Sequence, residues 1–459
     1  MLIQLEKILE ELVSYIWGLP TIIILISSGF FLSLILGGFL GGIQRKSFFH
    51  AIQVIRGKYD KDTDPGEISH FQALMTALSA TIGLGNIGIV AIIIKLGGPG
   101  SIFWMILAGI IGMATKYAES TLAILYRKIE DDGTVRGGPM YYIEKGLGDK
   151  FIPMAKFYAL AIAIGSFGIA NMFQTNQSAV ILNESFGIPN YVTGIFITVL
   201  AAIVIIGGIQ RIAKVTSLLV PFMAVTYIIG CLIVLTYHLD KLPGLVVLII
   251  DSAFNGSAMA GGAVATMQMA ILQGVRRACF SNEAGLGSAA IAHSAASTNE
   301  PVREGVVALL GPFIDTVVIC TMTALVILST GVWEHSDNFG VPMTAEAFDT
   351  VISGFGSFFI PIAATLFAFS TLISWSYYGE TASYYLFGRK GLMPFKIVFC
   401  LVAFLGTIWK VQSVLNFSDI MTGMMIFPNL LAIWLLMPKL KEHTKLYFSK
   451  LKAGEFEVK

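Results

Sequence analysis

The 459 residues are 55% hydrophobic and 13% charged, with a formal net charge of +1, whereas an ordinary soluble domain carries about 25% charged residues. That balance, with a mean hydropathy of +0.77, excludes a soluble fold. The near-neutral charge and the lack of a Lys/Arg stripe interleaved with aromatics exclude nucleic-acid binding.

Crossing a hydrocarbon core takes roughly 20 apolar residues, and such runs recur along nearly the whole chain. Cut at their Gly, Pro and charged breaks, they predict an all-α integral membrane protein of about eleven transmembrane helices. An amphipathic, acidic start (residues 1–11) leads into the first helix, 17–40, which no small-residue cleavage site follows, so it reads as permanent. A basic connection with Arg45, Lys46, Arg56, Lys58 and Lys61 comes next.

The second helix, 71–94, contains Ser79, Thr81, Ile82, Gly83, Leu84, Gly85 and Asn86 near its expected midpoint. Glycine forfeits helix stability and packing surface, so a cluster there calls for a reason. One reason is a discontinuous helix, because unwound backbone at membrane depth is tolerated only where it is buried in protein or lines a cavity. The other is close approach of a neighbouring helix over small residues. The third helix, 101–126, carries Lys116 and Glu119 three apart, expected to form a structural ion pair. Arg127, Lys128, Arg136 and Lys145 come after it.

In the fourth helix, 151–182, the spacing places Phe167, Asn171 and Gln174 near one face. These either close and line a pocket for a methyl-sized side chain or hydrogen-bond between helices. The fifth and sixth helices are expected at 191–206 and 215–237, and the apolar stretch after them, with Asp251, as a surface amphipathic helix. The seventh, 256–275, is rich in small and polar residues, with Thr266, Gln268 and Gln273 as candidate substrate-binding side chains, and runs on into FSNEAGLGS, residues 280–288. A second break belongs here, either near 261–268 or near 282–287. The eighth and ninth helices, 305–328 and 355–386, hold Asp315 and Glu380, read as packing or gating residues, and the Ser370–Thr371 pair. Helices at 395–409 and 418–437 and a Lys-rich tail complete the chain.

Loops 183–190 and 331–354 are poor in Lys and Arg while alternate loops are rich in them, which places the amino terminus outside and the carboxyl terminus in the cytoplasm. Two breaks five helices apart are the mark of inverted repeats in secondary transporters. The division expected is an extra helix and its loop (1–66), two five-helix repeats (67–237 and 238–438) and a tail (439–459). Cys231, Cys279, Cys320 and Cys400 lack CxxC spacing and read as core residues. The six histidines fall in loops or at helix ends without ligand spacing, so no catalytic metal and no cofactor is expected.

The runs GGPGSIFWM (97–105), NMFQTNQSA (171–179) and FSNEAGLGSAAIAHSAA (280–296) resemble the signatures of the alanine or glycine:cation symporter family, of the amino acid, polyamine and organocation superfamily. Ser101 and Ile106 depart from the usual residues of the first signature. The resemblance covers nearly the whole chain and implies a leucine-transporter-like fold, a cell-membrane location and symport of a small neutral amino acid, alanine or glycine, with Na+ as coupling ion. By position, it implies that Thr81 to Asn86 form the unwound stretch, with the amides of Leu84 and Gly85 on the substrate carboxylate and carbonyls near Thr81 facing its ammonium. It further implies a sodium site from the carbonyls of Ser79 and Ile82 with the hydroxyls of Ser370 and Thr371. Read without it, that Ser-Thr pair bonds carbonyls in its own preceding turn. The sixth helix has no mid-helix lysine to stand in for a cation, which favours sodium over the proton coupling of some relatives. A membrane enzyme would need an oriented nucleophile and base, and GxSxG is absent. A channel would need rings of carbonyls or charge rather than two broken helices.

Overall fold

Backbone amides and carbonyls in lipid have only each other to bond, so long apolar runs become helices. The computed structural model describes residues 2–37, 42–61, 63–255, 267–408 and 411–458. Within these, strand is confined to a two-residue hairpin pairing, Lys128–Ile129 with Val135–Arg136. Six helical stretches are long and apolar enough to cross a bilayer: Ile8–Gly37, Gly100–Leu125, Asp149–Phe186, Gly208–Thr236, Pro301–Thr330 and Phe355–Gly406. Two bent pairs add to them, His70–Thr81 with Gly85–Gly97 at 51° and Asp419–Leu435 with Met437–Ala453 at 62°. Asn190–Ile206 and Leu242–Asn255 are shorter apolar helices.

The second expected helix is therefore two pieces, and its first half starts on a capping box between Ser69 and Gln72. Leu242–Asn255 lies against Gly100–Leu125, pinned by the Gly100 amide donating to Ser252 Oγ at 3.0 Å and Trp104 Nε1 to the Ala253 carbonyl at 3.2 Å. Most of the expected seventh helix, up to residue 266, lies outside the described residues. Its remainder belongs to the helix Met267–Asn282, packed on Gly100–Leu125.

The centre is built by His70–Thr81, Ile152–Phe167 and Phe173–Phe186, all packed against the long helix Phe355–Phe387. Small residues allow this: a Cβ added at Gly379 would sit 2.5 Å from Ser166 Oγ. Outward faces such as Val192, Phe196 and Ile203 are exposed and apolar, as lipid contact requires. At the end where His70–Thr81 begins, Glu304 is fully buried and accepts from His70 Nδ1 and from His293 Nδ1, the latter at 2.5 Å. Both histidines, expected in loops or at helix ends, indeed sit at helix ends and serve as buried partners of this carboxylate.

Candidate functional site

The helix His70–Thr81 stops at Ile82, whose backbone is extended, and restarts as a π-helical turn, Gly85–Ile89. Asn86 holds the gap from below: its Oδ1 accepts from the Gly83 amide at 2.9 Å, and the Asn86 amide donates to the Gly83 carbonyl at 3.2 Å. The other side of the gap faces Phe355–Phe387. Ser370 Oγ lies 3.2 Å from the Ser79 carbonyl oxygen and 3.5 Å from that of Ile82, and Thr371 Oγ1 lies 3.2 Å from the Ser79 carbonyl. Both hydroxyls also reach the Phe367 carbonyl in their own helix, at 2.9 and 3.1 Å. The bonding within one helix and the contact across to the break thus coexist. Two carbonyls and two hydroxyls meeting in a buried spot form a hard, neutral oxygen set of the kind that suits an alkali or alkaline-earth cation.

A break is present at the later of the two places the sequence left open, whereas most of the earlier place, residues 261–266, lies outside the described residues. Helix Met267–Asn282 ends where Glu283 takes a left-handed conformation (φ 57°), succeeded by Gly285 (φ 93°) and Gly287 (φ 78°), before the short helix Ala289–His293. A left-handed turn is cheap for glycine and costly for glutamate, and a ring of side chains holds it. Trp375 Nε1 donates to Glu283 Oε1 at 2.8 Å, and Ser288 Oγ donates to its other oxygen. Glu119 Oε1 accepts from the amides of Gly285 (2.9 Å) and Gly287 (3.1 Å) and from Asn429 Nδ2 (2.8 Å). Tyr158 Oη caps the Leu286 carbonyl at 2.7 Å. The expected Lys116–Glu119 ion pair does not form. Glu119 is spent on the unwound backbone, and Lys116 Nζ is buried without a hydrogen-bond partner among the described residues.

Asp315 joins the two breaks. It lies inside the membrane-length stretch Pro301–Thr330, in the π-helical turn Phe313–Cys320. Its carboxylate accepts from Asn86 Nδ2 at 2.7 Å, beside the first break, and from Ser281 Oγ at 2.9 Å, just ahead of the second.

Between the breaks is a small cavity of about 20 Å³. Of the residues singled out in the sequence, Thr81, Gly83, Gly85, Gln174 and Thr371 line it. Ser79, Ile82, Leu84 and Asn86 are buried immediately around it, and Ser370 is one residue from Thr371. Phe167 and Asn171 turn elsewhere. The Phe167 ring packs on Phe395 at 5.2 Å and Phe399 at 5.9 Å, and Asn171 Nδ2 donates to the Phe399 carbonyl at 2.8 Å. The interhelical alternative thus describes Asn171, and Ala170 stands in the cavity wall instead. Gln268 is exposed, and Gln273, with its side-chain amide 3.6 Å from the Met269 sulfur, packs near Gly97; neither lines the cavity. Thr266 lies outside the described residues. Phe280, Ser281 and Glu283 complete the wall from the second break, a run the sequence marked without assigning roles. Trp375 and Thr422 also line it, and no spacing or motif points to them.

The sodium:alanine symporter family matches residues 2–459. The chain is 43% identical over 447 residues to the sodium/alanine symporter AgcS of Methanococcus maripaludis, an alignment covering 96% of this chain and 97% of that one. It is 36% identical over 460 residues to the probable sodium/glutamine symporter GlnT of Bacillus subtilis, covering 99% and 94%. The crystal structure of MhsT in complex with L-phenylalanine superposes with a TM-score of 0.54 at 15% identity, covering 82% of this chain and 99% of that one, which assigns the leucine-transporter fold. With that match along its length, its membrane-length helices and these relatives, the chain is a multi-pass membrane transporter that belongs to the sodium:alanine symporter family.

Proposed function

We propose that this protein carries a small neutral amino acid, alanine or glycine, across the cell membrane in symport with sodium by alternating access. The observation that carries this reading is the meeting of the Ser370 and Thr371 hydroxyls with the Ser79 and Ile82 carbonyls, beside a small cavity walled by both unwound segments. Sodium bound there draws the first break onto Phe355–Phe387. A zwitterion in the cavity meets the amides of Leu84 and Gly85 with its carboxylate, where a restarting helix leaves N–H groups free. Its ammonium meets the Thr81 carbonyl and the Glu283 carboxylate. The cavity, with Phe280 and Trp375 in its wall, has room for about one water and widens to admit even a small amino acid; the 43% identical relative named for alanine supports a small substrate. In this reading residues 67–237 and 238–438 are the inverted repeats, since each contains one break, and the Lys-rich carboxyl end is cytoplasmic.

Glu283, an acidic residue in the cavity wall, favours one second reading, in which a proton on this carboxylate replaces sodium. Uptake of radiolabelled alanine into proteoliposomes separates the two, with an inward sodium gradient, with potassium in its place, and with a proton gradient alone. Sodium-dependent accumulation above equilibrium is expected, and Ser370→Ala or Thr371→Val should raise the half-saturating sodium concentration about tenfold, the effect of about 1.4 kcal/mol of lost coordination. Accumulation driven by the proton gradient and indifferent to sodium would overturn the sodium reading in favour of Glu283.

A further inference from the structure

The carboxyl-terminal helix Met437–Ala453 leaves the last membrane helix at 62° and folds back under the bundle. Two buried hydrogen bonds fix it: Tyr117 Oη to Thr444 Oγ1 at 2.8 Å and His50 Nε2 to Tyr447 Oη at 2.7 Å. Between this helix, the end of the first membrane stretch Ile8–Gly37 and the short helix Ile43–Ile55 is a crevice of about 680 Å³. Its inner wall is apolar, with Ile35 and Leu36 from the end of the membrane stretch and Phe448 and Leu451 from the terminal helix. Its rim carries Lys46, Lys441, Lys445 and Lys452.

No acidic side chain lines the crevice, and none of these four lysines forms an ion pair among the described residues. Other lysines of the same helix do: Lys439 pairs with Glu442 at 3.3 Å and Lys450 with Glu300 at 3.1 Å. Four unneutralised cations from two separate elements therefore surround a hollow whose wall continues into the lipid-facing surface of a membrane helix. We propose that this crevice is a binding site for an anionic phospholipid, its phosphate headgroup among Lys46, Lys441, Lys445 and Lys452 and an acyl chain along Ile35 and Phe448. Charge alone would suit free phosphate equally well. The apolar wall at the membrane boundary commits the site to a lipid, because a basic pocket there gains from headgroup charge and buried hydrocarbon together.

The test is native mass spectrometry of the full-length protein in detergent, titrated with phosphatidylglycerol, with phosphatidylcholine of the same chains, and with inorganic phosphate. Phosphatidylglycerol should bind more tightly than phosphatidylcholine. Each Lys→Gln change among the four should weaken it on the order of fivefold, and K46Q/K441Q/K445Q/K452Q should erase the preference. The control K439Q/K450Q should bind as the parent does. Equal binding of both lipids by the parent, or an unchanged preference in the quadruple variant, would overturn the proposal. So would displacement of phosphatidylglycerol by millimolar phosphate, which would make the site one for the free anion. Should the quadruple variant not fold, K441Q and K445Q singly read the same quantity.

Discussion

Gly83 shows at the residue scale why the first break tolerates no side chain. A Cβ there would lie 2.6 Å from Thr371 Oγ1, one of the hydroxyls aimed at the candidate cation position. Gly83→Ala is expected to cut sodium-driven alanine uptake at least about tenfold, the effect of displacing a single ligand group, while the melting temperature in detergent stays near that of the parent. His50, in the short helix outside the membrane, gives a pH-dependent prediction. Burial, and then the nearby Arg303 cation, push its pKa down from 6.5 to about 4. The unfolded chain therefore binds more protons than the folded one between those values, and stability falls as pH drops through that window. The full shift corresponds to a loss on the order of 3 kcal/mol. The melting temperature should be lower at pH 5 than at pH 7.5, with a shallower slope in His50→Gln; an identical slope would show that this histidine does not titrate in the fold. Phe167 and Gln174, read onto one face by spacing, part company because the π-helical turn Gly168–Met172 lies between them and shifts the register.

Each broken element needs a partner that satisfies its freed backbone, and for the second break that partner is Glu119. A glutamine at 119 still offers an oxygen to the Gly285 and Gly287 amides, whereas a leucine strands both, at about 1–3 kcal/mol for each buried donor. Glu119→Gln is therefore expected to retain most of the thermal stability and uptake, and Glu119→Leu to lose both, read by melting in detergent and by transport. Equal behaviour of the two variants would show that the charge, not the acceptor, matters. The first break was readable because glycines and polar residues in an apolar run have few other uses at that depth. The second was ambiguous because two small-residue clusters lie one after the other, and the left-handed Glu283 that marks the turn among the described residues carries no sequence signal.

Across the whole molecule, the ends of the two broken helices are tied together near His70. Ile68 and Ala296 form a parallel bridge, the Glu67 amide donates to the Ala295 carbonyl at 2.8 Å, and the Ser297 amide to the Ile68 carbonyl at 2.8 Å. Arg127 adds a clamp, donating to the carbonyls of Pro65, Ser294, Ala296 and Thr298 at 2.6–2.9 Å. Under the proposed alternating access, opening on this side parts these segments, so Arg127→Ala should favour the state open here. A cysteine placed at Ser297 is expected to react with a water-soluble maleimide about tenfold faster in that variant, as for a bias of about 1.4 kcal/mol. An unchanged rate would mean that opening does not pass through this seam.

The membrane class, most helix positions and the first break come from the sequence alone, because lipid forces continuous apolar runs into helices and makes glycine clusters within them conspicuous. The resemblance carried by three short motifs added the partners expected across the first break, Ser370 and Thr371. Only the tertiary structure decided that Asp315 links the two breaks, that Glu119 serves backbone amides rather than Lys116, and that Trp375 and Thr422 reach the cavity. These contacts join residues tens to hundreds of positions apart. Periodicity tells which side chains share a helix face, and packing alone settles which neighbour that face meets.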